Sequence, residues 1–204
     1  MRIFLRIVAI ATLVGSNLSG TVSAGNADRA GQAGATELLI NPWARSSGWG
    51  NANSSSIRGL EAQFMNIAGM AFVQKTEVLF SNTQWLVGSG IMVNSAGIAQ
   101  RIGEAGVLGI GVTTMSFGEI EKTSSELPSG GFGTFSPSLL NIGVSYAKSF
   151  SNSIHAGATV RVISESIDNL SATGIAFDVG IQYVTTLGDR KKAKNKNNLS
   201  IGMS

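Results

Sequence analysis

Few side chains in this sequence could do catalytic chemistry, and their spacing speaks against it. His155 is the only histidine and cysteine is absent, so a zinc site built from the usual His and Cys donors lacks its ligands. His155 begins a strand beside a turn, where a rim residue is expected rather than a general base. No Gly-x-Ser-x-Gly elbow occurs. Gly109-Ile-Gly111 lacks the third glycine of a dinucleotide fingerprint and falls mid-strand. The GGFG run at 130–133 is followed by no Lys-Ser or Lys-Thr and reads as a loop. The expectation is therefore no enzyme, no catalytic residue, no metal and no cofactor.

Four polar residues have a spacing that carries meaning: Arg161, Glu165, Asp178 and Gln182. They interrupt two runs of alternating residues, always on the face that otherwise holds Gly, Ala, Ser and Thr. Arg161 and Asp178 would neutralise each other there as a cross-strand ion pair. The opposite face is apolar throughout: Ile142, Val144 and Tyr146 in one run, Ala156, Ala158, Val160 and Val162 in the next. Ile163 is the exception.

The elements that must position these residues are strands, because the period is two and helical periodicity is weak everywhere. Candidates are 77–85, 87–98, 106–120, 138–150, 153–167 and 172–187, with a seventh beginning at Asn198. Short connections near 101–105 and at 150–153 alternate with a longer one at 121–137, as in an up-and-down sheet whose two rims differ. A turn centred on Ser151 sets Ile142 by Val160, and one centred on Asn169 and Leu170 sets Arg161 opposite Asp178. Three consecutive strands then present one apolar face.

That face suits lipid better than a dry sandwich core, because the other face is too small and too weakly charged for an ordinary solvated surface. A membrane strand needs about 9–11 residues, and a closed barrel satisfies the backbone groups that lipid cannot. The predicted class is an all-β, transmembrane, antiparallel up-and-down β-barrel. A secreted β-sandwich is the alternative.

Composition agrees. Charged residues are 13% of the 204 and the mean hydropathy is +0.21, too apolar for disorder. Arg2 and Arg6 precede an apolar run ending in small residues at Val22 and Ala24, the layout of a secretory signal peptide over 1–24. Without those two arginines the formal charge falls from +3 to +1. The remaining basicity is concentrated in Arg190, Lys191, Lys192, Lys194 and Lys196. No aromatic residues interleave with them, so a solvated loop is expected and no nucleic-acid partner.

Read together and in order, AGQAGATELLINPWARSSGWGNA, FMNIAGMAF, EVLFSNTQWLVG, GVLGIGVTTMSFGEIEKT, SYAKSFSNSIHAGATVRVISESI and GIAFDVGIQYVTTLG resemble the PorV/PorQ family of Bacteroidetes-type outer-membrane proteins. These are relatives of the FadL long-chain fatty-acid transporters. One departure is visible: Asn66-Ile67-Ala68-Gly69 has Ile where the family often has Pro. The resemblance implies a FadL-like barrel of about fourteen strands, of which this chain supplies roughly the first half. It implies residence in the cell outer membrane, contact with outer-membrane lipid, and a role in the type IX secretion system. There such proteins bind exported cargo and hand it to attachment or translocon components. It further implies that the short turns, with the basic stretch 189–198, face the periplasm and that 121–137 and 168–171 face outward. A FadL-like channel for hydrophobic molecules and an adhesive surface protein are the alternatives. The segment 25–72 is too apolar to leave in water and is expected to fill the lumen as a plug, with Trp43, Arg45, Trp49 and Asn66 as its candidate residues. The barrel is expected over 73–204.

Overall fold

Residues of alternating polarity favour extended chain, because side chains two apart share a face of a pleated strand. The structure, a computed structural model, describes residues 35–123, 125, 130–131, 133–186 and 199–204. The signal peptide and the basic run 190–196 lie outside the described residues. Seven antiparallel strands form one sheet in the order β1-β2-β3-β6-β7-β8-β9. They are β1 Thr76–Trp85, β2 Ile91–Ile102, β3 Gly106–Ser116, β6 Ser138–Ser149, β7 Ile154–Ile167, β8 Leu170–Thr185 and β9 Leu199–Met203. A separate small hairpin, β4 Ile120–Glu121 with β5 Thr134–Phe135, fills part of the connection between β3 and β6. The chain is thus all-β, and its main sheet is an up-and-down half-barrel.

The turns correct the expected register. Ile142 lies opposite Val162 rather than Val160, because Ser151 Oγ accepts from the amides of Ser153 and Ile154 at 3.2 and 3.1 Å and moves the turn centre one residue on. At the next hairpin Ile167 pairs with Leu170. Asp168 takes the left-handed conformation (φ 53°), which the short polar side chain of Asp tolerates, so a two-residue turn suffices. Arg161 therefore faces Ala176, and Asp178 faces Thr159. Both corrections amount to two residues in the pairing sum, which leaves every side chain on its expected face.

β2 also begins at Ile91 rather than 87, because Leu86, Gly88 and Gly90 all have positive φ and keep the chain turning. Positive φ at Gly118 likewise ends β3 before Ile120.

Burial is inverted relative to a soluble sheet. Val78, Phe80, Ile110, Val144, Val160, Ile175, Phe177 and Val179 stand exposed on the convex face, Phe80 and Phe177 at 74% and 75%. On the concave face Ser145, Thr159, Arg161 and Gln182 are buried. They are covered by the segment from Asn41 to Val73, which supplies Leu60, Ile67 and Met70 to the core with Ala99, Val107 and Ala147 of the strands.

Candidate functional site

The site is the seam between this inner segment and the concave face. Its first component is a set of glycines whose missing side chains make room for particular residues. A Cβ on Gly97 would sit 3.1 Å from Leu60 Cδ2, one on Gly109 2.6 Å from Met70 Sδ, and one on Gly157 3.0 Å from Ile67 Cγ1. A Cβ on Gly111 would overlap the Gln63 carboxamide, and one on Gly180 the Asn66 carboxamide. All five lie on the small-residue face that the alternation defines, and Gly97, Gly109 and Gly111 extend it to β2 and β3. Glycine weakens a strand interior unless something approaches closely, and their alternation along β2 and β3 was the available signal.

The second component is polar. Gln63 Nε2 donates to Gly143 O at 3.0 Å and to Ser145 Oγ at 2.7 Å. Asn66 Nδ2 reaches Ser54 O at 3.0 Å and Ile181 O at 3.2 Å. From the wall, Gln182 Nε2 donates to Ser54 O at 2.9 Å and Ile57 O at 3.1 Å. Arg101 holds Val73 O and Ala71 O, both at 2.7 Å. Burying these groups without partners would cost about 1–3 kcal/mol each, so each bond favours one seating of the segment over its neighbours. Gln63 and Arg101 were not among the residues expected from sequence.

Of the four lumen candidates, the structure brings Arg161 and Asp178 together as an ion pair through Nε and Oδ2. Arg161 also donates to Gln63 O and lies 5.1 Å from the Phe64 ring centroid. Gln182 belongs to the same inner face but grips the segment elsewhere. Glu165 lies nearer the β7–β8 turn, opposite Leu139 and Ala172, apart from the ion pair.

Of the segment candidates, Trp43 is 6% exposed and Asn66 1%. Asn66 Oδ1 accepts from the Ala68 amide at 3.2 Å and so caps the 3₁₀ turn Ile67–Phe72, in the place where the resembled family often has proline next. Arg45 pairs with buried Glu61 at 3.1 Å, and Glu61 also accepts from Ser46 Oγ at 2.8 Å. Trp49 is 69% exposed, because Ala44–Gly48 is a single helical turn and the chain reverses through positive φ at Gly50 and Asn51.

His155 is buried, shares a 2.8 Å hydrogen bond between Nδ1 and Ser149 Oγ, and lies 4.2 Å from the Phe72 ring. That position fastens Phe72 to the wall. Where the segment stops short, Ile40, Phe64, Val93, Met115, Leu139 and Asn141 line an apolar recess. The seam can therefore hold a segment in register.

Among known proteins, no family model matches the chain and no curated relative matches it.

Proposed function

We propose that this chain forms half of an outer-membrane β-barrel whose lumen is occupied by its own N-terminal segment. The observation that carries the reading is the inverted burial: every one of the seven strands exposes apolar side chains on the convex face, while Ser145, Thr159, Arg161, Gln182 and the glycines turn inward onto the segment. Water disfavours so large an apolar face, whereas lipid requires it.

A filled lumen suits a docking scaffold better than an open pore. Together with the resemblance to PorV/PorQ proteins, this supports a role in type IX protein export, as a barrel that receives secreted cargo and passes it to surface attachment or translocon components. A FadL-like channel for hydrophobic molecules, the role of the relatives that the resemblance names, is the second reading.

Three measurements test this. The full-length protein should require detergent for release from the outer-membrane fraction, and release by alkaline carbonate alone would sink the membrane reading. Crosslinking in whole cells should then recover exported proteins bound to it. Uptake of a fluorescent long-chain acyl probe that depends on the protein, with no crosslinked cargo, would favour the channel.

A further inference from the structure

The convex face is not equally apolar on every strand. Outward positions of β8 between Thr173 and Thr185 are Ile175, Phe177, Val179, Ile181 and Tyr183. Those of β1 between Thr76 and Asn82 are only Val78 and Phe80, and those of β2 between Asn94 and Gln100 only Ala96 and Ile98. Every outward carboxamide on the described strands, Asn82, Gln84, Asn94 and Gln100, belongs to β1 or β2. Two residue pairs close into rungs across the β1–β2 ladder. Asn82 Nδ2 donates to Asn94 Oδ1 at 2.5 Å, and Thr76 Oγ1 donates to Gln100 Oε1 at 2.5 Å.

These rungs bound a short apolar strip. From Thr76 to Asn82 the chain advances roughly 20 Å at about 3.4 Å per residue, which becomes about 15 Å of depth at the usual tilt of about 40°, against a lipid-facing band of about 25 Å in outer-membrane barrels. From Thr173 to Thr185 the same arithmetic yields about 40 Å along the strand and about 30 Å of depth. A bilayer thick enough for β8 would immerse both rungs on β1 and β2. Polar groups are expensive there, and bilayers adapt to short apolar spans by thinning.

Resting on the barrel reading above, we propose that the β1–β2 side meets a locally thinned bilayer, with its two rungs at headgroup level. The rungs favour lipid over a protein partner because their side chains bond to one another within the sheet. Between them Val78 and Phe80 project outward. Beyond the rungs the side chains are mixed, with Gln84, Met92 and the exposed Trp85, Leu86 and Val87 at one end and Ile102 at the other.

These 204 residues contain no cysteine, so a cysteine introduced among them is read against the same full protein without it, which supplies the background of labelling. The full protein carrying Asn82→Cys, Gln100→Cys or Phe177→Cys would be folded into didecanoyl-, dimyristoyl- and dioleoyl-phosphatidylcholine vesicles and treated with a water-soluble maleimide. Positions 82 and 100 should label at least tenfold faster than 177 in all three lipids. Folding yield of the unsubstituted protein should fall several-fold from the shortest lipid to the longest, and Asn82→Leu with Asn94→Leu should remove that fall. Labelling at 82 and 100 as slow as at 177 would overturn the thinning while leaving the barrel intact. Fast labelling in vesicles but slow labelling in native outer membranes would overturn it in favour of a covering protein. Fast labelling at all three positions would show that the sheet is not in lipid at all, which removes the barrel reading itself.

Discussion

Gln63 lies across Gly143, with its Nε2 3.0 Å from the Gly143 carbonyl oxygen and 2.7 Å from Ser145 Oγ. The contact exists because neither Gly143 nor its neighbour Gly111 on β3 carries a side chain. A carboxamide separated from this wall by many residues in sequence thus finds both a gap and two acceptors. The inner segment is seated by shape and by hydrogen bonds at the same positions, so a shift along the strands would lose both together.

The glycines should therefore differ in tolerance according to what they face. At Gly157 a Cβ would press on Tyr146 O at 2.9 Å, and backbone cannot yield. Gly157→Val should destabilise by about 1–3 kcal/mol as overpacking. Gly109→Ala meets the flexible end of Met70 and should cost less. Gly174 has open space around it, so Gly174→Ala should be neutral or stabilising by up to about 1 kcal/mol. Urea titration of the folded protein checks the order. Equal sensitivity at 157 and 174 would show that the space at Gly157 is not as closely filled as its neighbours imply.

The ion pair should respond asymmetrically. The Arg161 side chain is 8% exposed and that of Asp178 46%. Removing the acid strands a buried cation, whereas removing the arginine leaves a carboxylate that water can reach. Asp178→Ala should cost about 3 kcal/mol, the low end for breaking a buried pair, and Arg161→Met about 1–2 kcal/mol for the hydrogen bond lost at Gln63 O. The double variant should be less unstable than the sum of the two. Strict additivity would mean the two groups do not act as a pair.

Facing could be read from alternation alone, and register could not. The even period protected Ile142, Val144, Val160 and Arg161 from an error of two residues in the pairing, since slips of two keep the faces. What moved the pairing was turn chemistry, in the Ser151 hydroxyl and the left-handed Asp168, which alternation does not encode. Leu86 shows the same limit, because nothing in WLVGSG says which residue turns. Gln63, Leu60 and Met70 were invisible for another reason: they meet glycines from far along the chain, and no local pattern links the two. The exposure of Trp49 follows from the single helical turn that carries it outward, which its apolar surface alone does not reveal.

Leu86 itself offers a test of strain. Its φ of 52° is left-handed, costing roughly 1–2 kcal/mol for a residue with a Cβ, and its side chain is exposed. Leu86→Gly should therefore stabilise the folded protein by about 1 kcal/mol, seen as a higher urea midpoint. A lower midpoint would mean that the Leu86 side chain makes a contact worth more than the strain.

Membrane facing can be read at adjacent residues. Val160 is outward and Arg161 buried, so in the proposed barrel Val160→Arg should cost about 2–4 kcal/mol near the bilayer midplane, as should arginine at Val144 or Val179. In vesicles, a water-soluble thiol reagent should leave Val160→Cys unmodified. Rapid modification there would place the convex face in water.

The inner segment makes the last test, because its two tryptophans occupy opposite environments in a stretch of only a few residues. Trp43 is buried, with its amide donating to Asn41 Oδ1 at 3.0 Å, while Trp49 stands clear of the wall. Iodide should quench the emission that Trp49→Phe removes and spare the emission that Trp43→Phe removes, with Trp85→Phe as the common background. Deleting 41–60 takes away Leu60 and the Ser54 and Ile57 carbonyls held by Gln182. It also exposes the glycine wall, so the full-length protein should conduct small solutes or unfold at a lower urea concentration. If Trp43 is quenched as readily as Trp49 in the intact protein, and the deletion changes neither conductance nor stability, the segment does not occupy the lumen in the membrane.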